Sequence, residues 1–444
     1  MWFGDLKMIY SVIVAVLVSI SIILLILFKP NIKIKNINIS TFFIPALIGA
    51  IILLIFNIVP INSVSDAFTS SSNVNPIKIL VLFISIALIS ISLDELGFFK
   101  YIAIKALNKC HNNQYSLFFI LYALVAVLTV FTSNDIIILT FTPFIVYFAK
   151  HAKINAIPYL IMEFITANTY SMLFTIGNPT NIYLSSYFNI SFLDYLKVMY
   201  LPTLLAGFSS LILLLLIFNK DLHQHMDLID IEEAKIDNKP LMIINLIHLG
   251  VTIILLAISN YIHLEMWLIC LCAALSLTVF LISDAIIHKS PTTIKHVYKR
   301  LPYNLIPFVL SMFIIVLALD YNEVTLHIAE FLNKLDTSKN MTIFNYLLTS
   351  TISDNLINNI PMSVLFAPIL NDVSNYQLPA IYATIIGSNI GAYLTPIGAL
   401  AGIMWMSLLK KYDVKFTFFD FMKYGIIIVP IVLLMSLLGL VITC

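Results

Sequence analysis

Four short polar interruptions divide long apolar stretches of this chain. Thr132-Ser133-Asn134-Asp135 splits one, and Ser353-Asp354-Asn355, followed by Asn358-Asn359-Ile360-Pro361, splits another. Thr175-Ile176-Gly177-Asn178-Pro179-Thr180-Asn181 and Thr395-Pro396-Ile397-Gly398 break two later stretches in the middle. Gly permits unusual backbone dihedrals and Pro removes a backbone donor. A helix broken at such residues leaves free N–H and C=O groups facing one cavity. Carbonyls and side-chain oxygens there can hold a cation, and half-helix N-termini favour an anion or a neutral oxyacid. Any single Asn or Ser could equally cap a short helix. Four breaks in two matched pairs make a substrate site the stronger reading. The candidate binding residues are Ser133, Asn134, Asn168, Thr175, Gly177, Asn178, Asn355, Asn358, Asn389, Thr395 and Gly398.

Three carboxylates are candidates for proton or ion coupling. Asp135 and Asp354 sit at the tips of the first two interruptions, where an anion in a dry region is costly and a proton can cycle. The competing role is a permanent partner for a half-helix N-terminus. Glu163 lies before Asn168 on the same segment and reads as interfacial slightly ahead of proton-carrying. Asp94-Glu95 and Asp320 read as interfacial caps.

The elements that must position these residues follow from composition. Of 444 residues, 60% are hydrophobic and 11% charged, with a mean hydropathy of +1.00. Soluble domains run near 45–50% apolar and about 25% charged. The balance excludes an ordinary soluble enzyme and a disordered chain. A formal net charge of +1 gives no field for nucleic acid. Long apolar runs, without residue-by-residue alternation, exclude an outer-membrane barrel. Cys110, Cys270, Cys272 and Cys444 have no zinc-ligand spacing and read as small hydrophobes, with Cys270 and Cys272 on different helix faces. No nucleophile–base set, phosphate loop or metal motif appears, so neither an enzyme nor a cofactor is expected. His223, His225 and Asp227 read as part of a solvated loop.

Met8–Phe28 is too long for a signal-peptide core and reads as a transmembrane helix. Further crossings are expected at Phe42–Val59, Ile77–Leu93, Tyr159–Phe188, Val198–Phe218, Leu241–Ile258, Trp267–Ile282, Tyr303–Leu319, Leu378–Leu409 and Met422–Ile442. Ser116–Ala149 and Thr342–Leu370 are too long for one crossing and awkward for two. Basic clusters at Lys29/Lys33/Lys35, Lys100/Lys105/Lys109, Lys150/Lys153, Lys289/Lys295/Lys299/Arg300 and Lys410/Lys411/Lys415 all want the cytoplasm. They agree if the N-terminus is outside and the two leftover stretches are re-entrant hairpins entering from opposite sides. Non-helical backbone survives at that depth only when buried or lining a cavity.

The chain also repeats. An offset of 221 carries Asn134, Pro158, Asn168 and Gly177 onto Asn355, Pro379, Asn389 and Gly398. An offset of 226 carries Ser191–Lys197 onto Thr417–Lys423 and Asp94 onto Asp320. The expected plan is a first repeat over 1–218 with hairpin 116–149 and broken helix 159–188. A charged cytoplasmic linker follows over 219–240, then a second repeat over 241–444 with hairpin 342–370 and broken helix 378–409. Five crossings and one hairpin per half invert the second half. The fold class is an all-α polytopic membrane protein of about ten transmembrane helices plus two opposed re-entrant hairpins.

Ser133-Asn134-Asp135 running into Thr142-Pro143, Asp354-Asn355 with Asn358-Asn359-Ile360-Pro361, and Gly387-Ser388-Asn389-Ile390-Gly391 leading to Leu394-Thr395-Pro396-Ile397-Gly398 resemble the ion-transporter superfamily. Within it they are most similar to the arsenical pump membrane proteins, especially from Thr395 to Lys411. Sodium–proton antiporters and sodium–dicarboxylate symporters are related members. The resemblance implies a mobile transport domain of hairpins and broken helices beside a scaffold that includes Phe42–Val59 and Trp267–Ile282. It implies arsenite or antimonite efflux in exchange for protons, with the neutral hydroxide hydrogen-bonded by Asn134, Asn168, Asn355 and Asn389. The alternative is sodium-coupled transport of a carboxylate or other anion, or sodium–proton exchange. Expected partners are a small inorganic or organic anion or oxyacid, protons or sodium, and the lipid bilayer of the plasma membrane. An arsenical ATPase subunit on the cytoplasmic loops and a homodimer belong to the same expectation. Ile136 after Asn134-Asp135, and Asn168 and Asn389 where some members are acidic, depart from the arsenical pattern. Gly177-Asn178-Pro179-Thr180-Asn181 also resembles the Pro-and-Asn break of the carboxylate symporters.

Overall fold

The computed structural model describes residues 2–29, 31–34, 37–69, 75–107, 113–226, 236, 238–259 and 261–444. Lys35, Lys109, Cys110 and the linker charges Asp227, Asp230, Glu232, Glu233 and Lys235 lie outside the described residues. The first half begins with α1 (Trp2–Phe28), the short hairpin β1 (Asn31–Ile34) and β2 (Ile37–Ser40), then α2 (Phe43–Ile55), α3 (Ile61–Thr69), α4 (Pro76–Glu95) and α5 (Phe98–Leu107). It continues with α6 (Gln114–Phe131), α7 (Asn134–Ala152), α8 (Ile157–Tyr170), α9 (Pro179–Tyr187), α10 (Phe192–Ile217) and α11 (Asn219–Leu222). The second half holds α12 (Lys239–Ala257), α13 (Met266–Ile287), α14 (Thr292–Arg300), α15 (Leu305–Tyr321) and α16 (Val324–Leu335). It ends with α17 (Lys339–Ile357), α18 (Asn359–Asn371), α19 (Gln377–Ile390), α20 (Leu400–Lys411) and α21 (Phe418–Thr443).

Among the described residues nine helices are long and apolar enough to cross a membrane, against the ten crossings expected. Both arms of the first leftover stretch, α6 and α7, are among the nine, and three expected crossings are not: Tyr159–Phe188 and Leu378–Leu409, broken in the middle, and Phe42–Val59. The helix of the last, α2, has 13 residues, about 20 Å at 1.5 Å per residue. Asn57, with φ 50°, and Pro60 end it early. The sequence reading also missed β1–β2, α3, α5, α14 and α16, which are short or lack a full apolar span.

Local chemistry explains the boundaries that position the site. Asn113 accepts hydrogen bonds from the N–H groups of Tyr115 and Ser116 and starts α6. Thr132 and Ser133 leave helical geometry and end it, and α7 begins at Asn134. Asn358, with φ 73°, separates α17 from α18 in the same way. Both polar interruptions are thus turns between paired helices.

Each pair closes on itself at the far end. The Gln114 amide donates to the Gln224 carbonyl at 2.9 Å, and the Asn155 amide donates to Asp221 at 2.9 Å. The beginning of α6 and the end of α7 therefore share one anchoring segment around α11. In the second pair, Asn345 of α17 donates to Asp336 at 2.8 Å, while Asn333 donates to the Asp372 carbonyl at 2.8 Å. α10 has 26 residues, about 39 Å of helix. It runs from the corner where Asn371 donates to the Tyr187 hydroxyl to Asn219 beside the first pair. Both arms of the first pair, at 18 and 19 residues, are also long enough to cross.

The elements from α15 to α21 follow in the same order as those from α4 to α10. α8 and α19 have 14 residues each, a three-residue 3₁₀ turn follows each, and α10 and α21 have 26 residues each. After α4, Gly97 takes φ 78°; after α15, Glu323 takes φ 61°. These two left-handed corners are 226 residues apart in sequence, the offset already noted. α10 packs along α21, α17 along α19, and α2 along α15. Helix backbones meet closely where Gly permits it: a Cβ on Gly439 would lie 2.7 Å from the Pro202 backbone.

Candidate functional site

α8 stops at Tyr170, turns through Thr175–Gly177 and resumes as α9 at Pro179. Asn178 begins α9 by accepting from the Thr180 N–H. Gly177 is required here, because an added Cβ would lie 2.9 Å from the Ser171 backbone. The second break is wider than the motif suggested, extending from Gly391 to Ala399 before α20.

The two breaks interlock through Asn389. Its side-chain oxygen accepts from Ser171 Oγ and Asn178 Nδ2, both at 3.0 Å. Its amide nitrogen donates to Asn181 Oδ1 at 2.8 Å and to the Ile385 carbonyl at 2.8 Å. Thr180 and Ser388 hydroxyls meet at 3.1 Å, and those of Thr169 and Tyr393 at 2.5 Å. All these residues are buried. Buried amides need such partners, because an unmatched one costs about 1–3 kcal/mol.

The first helix-pair tip joins this core through Asn134, whose amide donates to Asn168 Oδ1 at 2.9 Å. Asn168 in turn donates to the Phe164 carbonyl. The second tip joins through Asn355. It accepts from Thr395 Oγ1 at 2.7 Å and donates to the Gly391 carbonyl at 2.9 Å. Asn358 donates to the Ile397 carbonyl at 2.8 Å, and the Gly398 carbonyl accepts from the Asn359 N–H. Gly398 lies so close that a Cβ there would be 3.1 Å from both Asn355 Oδ1 and Asp354 Oδ2. Each tip thus docks on the break of its own half, and Asn389 connects the halves.

Several polar atoms in this core have no protein partner. They are both carboxylate oxygens of Asp354, Asn134 Oδ1 and Thr175 Oγ1. Asp354 is 0% exposed. Its Oδ2 would be 2.7 Å from a Cβ on Gly391, so it faces the second break. Ser133 is buried before α7 and makes no side-chain cap bond. Asp135 is only half-buried in the first turn of α7 and makes no hydrogen bond to Asp354 among the described residues.

Glu163 is 0% exposed, enclosed by protein. Thr142 Oγ1 donates toward its two oxygens, at 3.1 and 3.0 Å. Asp94 and Glu95 are more than caps. Arg300, the chain's single arginine, pairs with both carboxylates at 2.6 Å. Sequence reasoning missed this pair, and it missed Ser171, Thr169 and Tyr393 in the core. A partner 200 residues away leaves no local pattern, although a Ser388-Asn389 step inside an apolar run was a visible signal. Among the described residues, no His/Cys/Asp/Glu group is arranged to hold a metal ion. Cys270 is buried and Cys272 exposed, in line with their different helix faces.

Paired helix tips docked on paired helix breaks, in a chain of many membrane-length helices, define a multi-pass membrane transporter. Residues 22–383 match the citrate transporter family, CitMHS, and the chain belongs to that family. It is 25% identical over 369 residues to an Escherichia coli protein named arsenical pump membrane protein, covering 81% of this chain and 84% of that one. It is 23% identical over 419 residues to a putative arsenical pump membrane protein of Bacillus subtilis, covering 89% and 92%. The fold matches the Alcanivorax borkumensis YdaH transporter, with a TM-score of 0.61, 13% identity and 98% of both chains covered. Neisseria gonorrhoeae MtrF, described among antimetabolite efflux pumps, gives a TM-score of 0.54 at 11% identity over 98% of this chain and 94% of that one.

Proposed function

We propose that this protein is a secondary transporter that exports arsenite or antimonite across the plasma membrane in exchange for protons. The observation that carries the reading is the chemistry of the interlocked breaks. Their hydrogen-bonding groups are neutral amides and hydroxyls, and the one arginine is engaged with Asp94 and Glu95. Neutral donors and acceptors suit an uncharged hydroxide of arsenic or antimony better than a multiply charged citrate, whose desolvation would need cationic partners. Relatives named as arsenical pumps support the same reading.

In this reading Asn134, Asn168, Asn355 and Asn389 hold the solute with Ser133, Thr175, Gly177, Asn178, Asn358, Thr395 and Gly398. Asp354, Asp135 and Glu163 carry coupling protons. The buried carboxylate of Asp354, without a protein partner and facing the second break, supports that role. The two helix pairs are re-entrant hairpins entering from opposite sides, with the N-terminus outside and α11 on the cytoplasmic side. Their closure on shared anchors, at Asp221 to Gln224 and at Asn333 to Asp336, supports this topology. The matched element order supports an inverted repeat over 1–218 and 241–444. An arsenical ATPase subunit on the cytoplasmic loops and a homodimer complete the proposal.

The family's description as citrate transporters favours a second reading, a carboxylate carried with sodium or sodium–proton exchange. Flux in proteoliposomes decides between them. Arsenite flux driven by a proton gradient supports the first. Sodium-dependent citrate or succinate flux without arsenite flux replaces it with the second.

A further inference from the structure

A cleft of about 490 Å³ opens between the first residues of α4, the α9–α10 corner and the α12–α13 loop. Lys78, Ser186, Ser191, Ser259, His263 and Trp267 line it. Below it, a second cavity of about 20 Å³ lies against Ile79, Phe83, Pro179, Tyr183 and Val364. Ile79 lines both spaces, and α9 contributes Ser186 to the first and Pro179 and Tyr183 to the second. From Ser186 at the wide end to Pro179 at the narrow end is seven residues of helix, about 10 Å. Pro179 adjoins Asn178, which contacts Asn389. The two spaces therefore follow α9 from the cleft toward the interlocked breaks.

The two spaces differ in chemistry. The lower one is walled by aliphatic and aromatic side chains and holds about one water-sized volume; apolar cavities of this kind stay dry. A molecule with three hydroxyls cannot pass until it widens. The cleft above is polar and charge-balanced. Lys78 Nζ and Trp267 Nε1 both donate to Glu265 Oε2 at 2.6 Å, and the ammonium lies 5.8 Å from the indole centroid. This cluster ties α4 to α13 and satisfies the charge of Glu265. Burial pushes the Glu265 carboxyl up, but the bonds from Lys78 and Trp267 outweigh it and hold the carboxyl below its usual value. A free anion entering here competes with Glu265 for Lys78, whereas a neutral solute meets hydroxyls and an imidazole.

We infer that the cleft is the mouth of the substrate path on the α12–α13 loop side, admitting a small neutral hydroxylated solute, and that Ile79, Phe83, Tyr183 and Val364 form its gate. The solute class rests on the function proposed above; the mouth and gate do not. Single cysteines are placed in the full-length protein after its four native cysteines are replaced, and intact cells are treated with a membrane-impermeant thiol reagent. Exposure governs thiol reactivity. Ser186→Cys, at the edge of the cleft, is expected to react within about tenfold of the more exposed Tyr261→Cys in the adjacent loop. With a gate open about 1% of the time, Val364→Cys reacts roughly a hundredfold more slowly. Adding Phe83→Ala, or Ile79→Ala where the first impairs folding, brings the Val364→Cys rate toward that of Ser186→Cys. The adduct on Ser186→Cys stops arsenite flux. An unreactive Ser186→Cys, or an adduct that leaves flux unchanged, overturns the mouth. Equal rates at Ser186→Cys and Val364→Cys overturn the gate. If the unmodified cysteine-free protein carries no arsenite, the proposed substrate fails, while the labelling order still decides the mouth and gate.

Discussion

Replacing Asn389 with Ala removes the link between the two broken helices. Three cross-break hydrogen bonds disappear: those from Ser171 and Asn178, and that to Asn181. Ser171 keeps its bond to the Asn168 carbonyl, so its hydroxyl stays satisfied. Asn178 Nδ2 has Asn389 as its acceptor and becomes a buried orphan. Asn181 Oδ1 retains only a 3.4 Å contact from Thr180. At about 1 kcal/mol per lost bond and about 1–2 for the orphaned amide, the cost is roughly 4–5 kcal/mol. Asn134→Ala removes one bond, to Asn168. Its cost is about 2–3 kcal/mol, one bond plus the orphaned Asn168 oxygen. Urea or thermal unfolding of the purified transporter in detergent should therefore show Asn389→Ala losing more stability than Asn134→Ala, by about 1–3 kcal/mol. Asn389→Asp should fall near Asn389→Ala, because a carboxylate cannot donate to Asn181 or to the Ile385 carbonyl. Equal losses for the two alanine variants would refute the view that Asn389 joins the halves.

Asp354→Asn should abolish proton-driven flux while sparing substrate exchange; unchanged pH dependence in vesicles would make Asp354 a structural residue, and Asp135 and Glu163 the next carriers to test. Gly387→Ala should destabilise by about 1–3 kcal/mol through overpacking, because its Cβ would collide with Ser350 and lie 2.7 Å from the Leu347 carbonyl. Normal unfolding of that variant would show that α17 and α19 can separate without cost. Arg300→Lys should behave nearly like Arg300→Met, since a lysine cannot span both Asp94 and Glu95 with a planar fork; full retention of stability by the lysine variant contradicts this. The Glu265 carboxyl sits below its usual value of 4.5, so its pairing is present above that pH and lost as pH falls through the lowered value. Trp267 fluorescence should change only below about pH 4.5, and a transition above it counts against the pairing.

The site's outline was legible because its signals are local. Gly177, Pro179, Asn358 and Gly398 interrupt helices through their own backbone preferences, and no distant contact is needed to see them. The repeated spacing of Asn134 and Asn168 against Asn355 and Asn389 was legible for the same reason. The partners of these residues were not. Nothing near Arg300 points to Asp94, and nothing near Tyr393 points to Thr169, because those pairings depend on how helices pack. The burial of Glu163 is not legible in its distance along the sequence from Tyr159. Packing of α7 against α8 decides its burial instead. α2 was overextended because Asn57 can take a left-handed corner that an apolar count does not register.

The hydrogen bonds at Asn389 join residues 208 to 218 positions apart. Neither half of the chain contains them alone, so during synthesis the first half must wait with Asn178 Nδ2 and Asn181 Oδ1 short of their partner. Loop closure across such a distance is slow in forming rather than costly in free energy, since the entropy term grows only with the logarithm of length. The exposed amides of the waiting half are then a feature of biogenesis, when wrong partners can be captured. Chaperoning, the pace of translation through the charged linker, and the order of membrane insertion act on that interval. A chain delivered in two pieces would complete its site only by finding its other half.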